Sequence, residues 1–203
     1  MINASAQLLD TFLISGDTIY DLGCATGTSL LLFSRLLSDK NLHFIGLDNS
    51  APMLEKARLK AELHRKADSI SFALEDITNF DHPGAGGVIL HYTLQFIRPL
   101  QRHAFLARVY DSLRPGGVLL ISEKVISHAP RLNREYIAIY HQFKKSRGYS
   151  ELEIAKKREA LENILIPFSV EENKDLLLQA GFASVETYFR WFNFASFVAV
   201  KPA

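Results

Sequence analysis

The chain of 203 residues has a single cysteine, Cys24, so no disulfide can form within it and a reducing compartment is expected. It lacks any apolar run near the ~18 residues of a membrane-spanning helix. Neither sign of charge dominates: 23 Lys and Arg stand against 22 Asp and Glu, a formal net charge of +1. That balance argues against broad, sequence-blind binding to nucleic acid, which draws on a strong positive field. The opening Met1-Ile2-Asn3-Ala4 has no basic stretch leading into an apolar one, so it does not read as a signal peptide, and the cytoplasm is the expected location. His43, His64, His82, His91, His103, His128 and His141 show no metal-ligand spacing, and no metal is expected. Repeats and low-complexity tracts are missing too. What the chain does have is apolar residues, 48% of the total, enough for one α/β domain with a full core.

The pattern is organised around Ile19-Tyr20-Asp21-Leu22-Gly23-Cys24-Ala25-Thr26-Gly27-Thr28. An apolar run ends in an acid, two glycines frame a tight turn, and an amphipathic stretch follows from Ser29 to Leu37. This predicts a strand, a turn that lets a ligand touch bare backbone, and a helix whose first N–H groups face that ligand. Apolar runs at 42–48, 69–74, 87–93 and 118–123 predict four more strands, separated by helical patterns near 50–66 and 99–113. Ser50 is expected to cap the first of those helices, and Arg114-Pro115-Gly116-Gly117 to form a turn.

Near-continuous apolar strands alternating with helices predict a doubly wound, mostly parallel sheet covered on both faces. Two closely linked strands, 185–191 and 194–200, predict an antiparallel hairpin at its edge, for seven strands in all. The whole chain, 1–203, reads as a single domain with a helical insertion at about 125–169. Within it, Ser150-Glu151-Leu152-Glu153 has the spacing of a capping box, and Gly181 suits a helix C-terminus.

Ligands of such sheets lie beyond the carboxyl ends of the strands. Asp21, Asp48, Asp76 and His91 all fall there. Asp48 follows Gly23 by 25 residues and has two acceptor oxygens, which suits the two hydroxyls of a ribose. Asp76 suits an exocyclic amine of adenine, and Asn49 lies beside them. The glycines follow Asp-x-Gly-x-x-x-Gly, not the denser Gly-x-Gly-x-x-Gly of pyrophosphate binders, so a nicotinamide dinucleotide fits less well than S-adenosylmethionine. Asp21 would then hold the ammonium, and backbone N–H groups of Gly23 to Ala25 the carboxylate. Cys24 reads as a small residue fitting the turn rather than a nucleophile. Tyr188, Phe189, Trp191, Phe192, Phe194 and Phe197 read as packing residues. The basic cluster Lys144, Lys145, Arg147, Lys156, Lys157 and Arg158 reads mostly as solvated helix faces, with room for one arginine aimed inward at a carboxylate.

Several stretches together resemble the carboxy-S-adenosyl-L-methionine synthase family. They are Asp21-Leu22-Gly23-Cys24, Leu47 to Met53, Tyr92-Thr93-Leu94-Gln95-Phe96, Leu113 to Gly117, Ser122-Glu123-Lys124, Gly148 to Asn163 and Phe192-Asn193-Phe194. The likeness runs from about Thr18 to Lys201; the Tyr92–Phe96 and Gly148–Asn163 stretches are its most specific parts. It implies a class I methyltransferase-like fold that does not transfer a methyl. Members of the family turn S-adenosylmethionine and prephenate into carboxy-S-adenosyl-L-methionine and phenylpyruvate. Their product feeds a second enzyme that modifies a tRNA wobble uridine.

Carried over by position, the resemblance implies that Gly23, Cys24 and Ala25 line the methionyl part. Asp48 and Asn49 meet the ribose and adenine, Asp76 and Ile77 the adenine, and Arg158 pairs with the added carboxylate. It implies a homodimer that binds neither nucleic acid nor membrane. His91 departs from the family, which usually has asparagine there. The family also carries an N-terminal segment of several dozen residues, with a tyrosine reaching the ligand, ahead of the point where this sequence starts. The residues leave open an ordinary S-adenosylmethionine-dependent methyltransferase acting on a small anion, or an inactive protein that binds the same ligand.

Overall fold

A computed structural model describes residues 1–203. A seven-stranded sheet forms the centre, in the order β3-β2-β1-β4-β5-β8-β7. Its parallel half comprises β1 (Thr18–Leu22), β2 (His43–Asp48), β3 (Ile70–Leu74), β4 (Ala85–His91) and β5 (Leu113–Ile126). The hairpin of β7 (Ser184–Trp191) and β8 (Phe194–Val200) adds the antiparallel edge through β8 on β5. An eighth strand of two residues, β6 (Phe168–Ser169), was not expected; it pairs with Val125 and Ile126 at the far end of β5.

Alternation along the central strands explains why both faces are covered. Val88, Leu90, Leu119 and Ile121 point into one apolar cluster, with Phe105 and Val109 of α4 (Pro99–Ser112) and Leu177 of α7 (Val170–Gln179). Ile89, Val118 and Leu120 point into the other, with Leu9 of α1 (Ile2–Phe12), Leu30 and Phe33 of α2 (Thr28–Leu36) and Leu54 of α3 (Ala51–Leu63). The remaining helices, α5 (Pro130–Ser146) and α6 (Glu151–Leu161), follow β5 and meet the hairpin and the segment after β4 around one cavity.

Local chemistry sets the helix boundaries. The Ser150 hydroxyl accepts from the Glu153 N–H at 3.2 Å, and the Glu153 carboxylate accepts from the Ser150 N–H at 2.8 Å, which starts α6. Ser169 and Glu172 form the same box at α7, a spacing not singled out in the sequence. Gly181, at φ +110°, closes α7 as expected.

Two local expectations are corrected. Ser50 precedes α3, but its hydroxyl makes no cap; instead its N–H donates to the Asp48 carboxylate at 2.9 Å. Arg114 to Gly117 do not reverse the chain. Gly116, at φ +70°, makes a bulge inside β5, and pairing resumes at Val118 opposite Gly87. The Arg114 guanidinium holds this bulge by donating to both oxygens of Asp17, at 2.9 and 2.6 Å.

Candidate active site

The turn after β1 is tight because it must close against β2. Gly23 takes φ +80°, and a Cβ there would lie 2.8 Å from the Thr93 side chain. The N–H groups of Gly23 and Cys24 both donate to the Leu47 carbonyl, at 2.8 and 3.1 Å. That of Ala25 donates to the Asp48 carboxylate at 2.8 Å. The expectation that these three amides hold a ligand carboxylate is therefore corrected: they hold the turn itself. Lys60 of α3 fastens its far side, donating to the hydroxyls of Thr26 and Thr28 at 2.7 and 3.1 Å.

Beside this turn the strand ends form an acidic trough. Asp21 is 2% exposed, and burial together with the charge of Asp48 raises its pKa to about 7. A cation set against it would relieve both effects, so the site fits an ammonium or sulfonium. The two oxygens of Asp48 accept from Ala25 and Ser50, yet each keeps a further lone pair for a hydroxyl. Asn49 is exposed beside it. Asp76 is also exposed and caps the short turn Ile77–Asn79, accepting from the N–H and hydroxyl of Thr78 at 3.0 and 2.8 Å; these bonds hold its pKa below the ordinary value. Ile77 packs half-buried against the core.

Cys24 is buried, and burial, Asp21 and Asp48 push its thiol pKa far up, which leaves it unreactive. Its sulfur fills space over Gly46, where a Cβ would come within 2.7 Å of it. His91 ends β4 with Nδ1 at 3.4 Å from the Ser29 hydroxyl and Nε2 buried without a partner. Burial lowers its pKa to about 4, so the ring is neutral near pH 7.

A strained segment follows His91. Tyr92 sits at φ +60°, which is uncommon for a bulky residue. Glu123, 2% exposed on β5, holds the segment in place: its carboxylate accepts from the N–H groups of Thr93, Leu94 and Gln95 at 3.2, 2.9 and 3.1 Å. The Gln95 side chain bridges from the Tyr92 carbonyl to the Lys124 N–H. Arg102, 1% exposed, donates to the carbonyls of Ile97, Gln95 and Ile166. This buried network went unassigned in the sequence; the signal was an acid at the end of an apolar strand, in Ser122-Glu123-Lys124.

Beyond the segment lies a cavity of about 880 Å³, walled by α5, α6, the hairpin and Tyr92 to Phe96. Lys124, Lys144, Lys157 and Arg158 line it, and Glu162 is its only acid. Lys124 is half-buried with its pKa lowered by burial; that of Lys144 is lowered by burial and then by Lys124 and Lys157. Mutually repelling cations in one cavity call for anions. The rest of the wall is largely aromatic: Tyr140 and Phe194 meet at 4.8 Å between ring centroids, and Phe143 and Trp191 at 5.1 Å.

The structure thus brings Asp21, Gly23, Cys24, Ala25, Asp48, Asn49, Asp76, Ile77 and His91 to one edge of the sheet, and puts Arg158 in the neighbouring cavity. Tyr92, the residue after His91, belongs to the cavity wall. Two expectations change here. The basic cluster gives three cations to the cavity (Lys144, Lys157 and Arg158), while Lys145 pairs with Glu151 outside it. Of the aromatic crowd, Phe197 is core, but Phe189, Trp191 and Phe194 line the cavity. Their spacing was strand-like, and only the overlying helices decide which faces are lined.

Residues 19–117 match the family model described as "Methyltransferase domain". The chain is 64% identical over 202 residues to Carboxy-S-adenosyl-L-methionine synthase of Desulfotalea psychrophila, an alignment covering 100% of this chain and 82% of that protein. It is 49% identical over 186 residues to the protein of the same name from Wolinella succinogenes, covering 92% of this chain and 77% of that one. Among solved structures, the S-adenosylmethionine-dependent methyltransferase SibL in its apo form superposes with a TM-score of 0.67 at 18% identity, over 100% of this chain and 57% of that one, a likeness of fold. No helix of the chain is long and apolar enough to cross a membrane, and no group of His, Cys, Asp or Glu is placed to hold a metal.

Proposed function

The chain belongs to the carboxy-S-adenosyl-L-methionine synthase family, and from that membership and the two adjoining sites we propose that it converts S-adenosylmethionine and prephenate to carboxy-S-adenosyl-L-methionine and phenylpyruvate. The observation that carries the reading is the cationic, aromatic cavity whose wall includes Tyr92, the residue that follows His91 at the end of β4. A ring-bearing dicarboxylate such as prephenate matches its charge and its walls.

Bound S-adenosylmethionine would supply a methyl carbon activated by the adjacent sulfonium, to which the carboxyl carbon lost by prephenate is joined. Overall, one prephenate and one S-adenosylmethionine give one phenylpyruvate, one carboxylated cofactor and one water. The trough's part is to bind and orient: Asp48 accepts the ribose hydroxyls, and Asp21 offers its negative charge to the ammonium. Neutral His91 offers Nε2 at the end of β4 without adding positive charge near the sulfonium. In the cavity, Arg158 binds a carboxylate, and Lys124, Lys144 and Lys157 share the remaining charge. The aromatic walls exclude water, so that two reactants are held close and dry. The product would serve as the carboxymethyl donor for tRNA wobble uridine modification by a second enzyme, and the protein would act as a homodimer in the cytoplasm.

Incubation with S-adenosylmethionine and prephenate, followed by mass spectrometry, tests the reading. A cofactor heavier by one carbon dioxide and an equal amount of phenylpyruvate are expected. S-adenosylhomocysteine with a methylated acid would identify an ordinary methyltransferase instead.

A further inference from the structure

Asn193 sits at the tip of the β7–β8 hairpin and is 2% exposed, yet it lines the cavity. Both polar atoms of its side chain, Oδ1 and Nδ2, are buried and have no hydrogen-bond partner in the protein. Buried amides in folded proteins are nearly always satisfied, so such a group demands a reason. Turn geometry does not supply one. Asparagine is often found in hairpin tips because it tolerates positive φ, but here the residue at positive φ is Phe192, at +46°. Nor is Asn193 loosely held. Its carbonyl accepts from the Val125 N–H at 2.8 Å, and its neighbours are fixed by ring contacts: Phe192 with Tyr136 at 5.6 Å and Phe194 with Tyr140 at 4.8 Å.

We propose that Asn193 is a specificity residue of the acid site, reading a hydroxyl group of the co-substrate that Lys124, Lys144, Lys157 and Arg158 hold by its carboxylates. This rests on the acid-binding reading of the cavity given above. An amide presents a donor and an acceptor side by side. A carboxylate would satisfy Nδ2 alone and be repelled by Oδ1, whereas a hydroxyl both donates and accepts and so satisfies the pair. The cavity already has cations for carboxylates, and Asn193 is the one uncharged amide in it without a protein partner, since Gln95 is spent on Tyr92 and Lys124. The co-substrate is thereby specified more closely: an anionic, ring-bearing acid that also carries a hydroxyl. A site that pairs with a hydroxyl rejects the analogue lacking it, because the amide is then left unpaired.

The test uses the full chain and Asn193→Leu, a near-isosteric apolar replacement. Without ligand, the melting temperature of the variant should equal or exceed that of the parent, because replacing an unpaired buried amide removes a penalty. A clear drop would show that the amide has a structural partner and would overturn the proposal. In turnover, KM for prephenate should rise tenfold or more while KM for S-adenosylmethionine stays within twofold. An unchanged KM for prephenate, or equal losses for both substrates, would also overturn it. If the parent makes no carboxylated cofactor, the proposed reaction fails, and calorimetric titration with prephenate alone decides Asn193 separately. Binding to the parent that weakens tenfold in the variant supports the assignment; equal binding, or no binding to the parent, refutes it.

Discussion

The trough at the strand ends and the cavity beside it carry opposite charge and are built in different ways. Asp21, Asp48 and Asp76 come from three consecutive strand ends, each placed by the parallel sheet itself. Lys124, Lys144, Lys157 and Arg158 come from one strand and two helices that pack above it. On the proposed function, the sheet provides a place for a cationic nucleoside, and the added helices provide a place for an anion. Between them the Tyr92–Phe96 segment, held by Glu123, belongs to both. On the same proposed function, the fold fixes the cofactor class, and the elements added after β5 fix the reaction.

The widest separation between the two regions is expected at Arg158. Arg158→Ala should weaken binding of carboxy-S-adenosyl-L-methionine by ~10–100-fold, the size of a lost charge-assisted pair. Binding of S-adenosylmethionine should change by no more than about threefold if the trough is independent. Calorimetric titration of both ligands reads the ratio, and equal losses would merge the two regions into one.

The seam between them is tested by Glu123. Glu123→Ala strips the acceptor from three buried N–H groups and should cost at least ~2 kcal/mol of stability in denaturant melts. Glu123→Gln, which keeps one carbonyl oxygen, should recover part of that loss. A variant with parental stability would mean that the segment holds its strained shape unaided.

Within the trough, Asp21 and His91 impose opposite pH slopes. The pKa of Asp21 is raised from 3.8 to about 7, so between those values the folded chain holds the proton more tightly than the unfolded one, and stability falls as pH rises. That of His91 is lowered from 6.5 to about 4, so over that span the unfolded chain holds the proton more tightly, and stability rises with pH. Each slope reaches at most about 1.4 kcal/mol per pH unit; they oppose each other, and Glu123, whose pKa burial raises to about 8, adds to the slope of Asp21. Relative to the parent, Asp21→Asn should therefore tilt the melting temperature upward with pH between 4 and 6.5, and His91→Asn should tilt it downward. Variants that both track the parent would disprove this pairing.

The smallest effect is expected at Cys24. Cys24→Ala should leave turnover within twofold, since the thiol only packs over Gly46. Loss of activity with intact folding would make it a reacting group and would break the division of labour drawn here.

The parallel half of the fold was legible because buried parallel strands are continuous apolar runs, and the acids at their ends stood out against them. The position of Asp21, Asp48 and Asp76 at neighbouring strand ends followed from the same pattern. Asp48 was readable from its distance to Gly23, but not its bond to the Ala25 amide, which depends on how the turn folds back on β2. The cavity was less legible. Trp191 and Phe194 alternate like any half-buried strand, and their exposure to a ligand depends on where α5 and α6 settle. Arg158 could be singled out from its equally basic neighbours only through family resemblance. Glu123 and Asn193 gave no periodic signal at all, because their roles are defined by hydrogen bonds made, or left unmade, across the fold.

The central claim, that the nucleoside lies in the trough while its added carboxylate is met from the cavity, is tested most directly by a crystal structure with carboxy-S-adenosyl-L-methionine bound. The account predicts the ribose on Asp48, the amino group against Asp21, and the added carboxylate within hydrogen-bonding distance of the Arg158 guanidinium. A ligand whose carboxylate points away from every cavity cation, or whose ribose avoids Asp48, would contradict it.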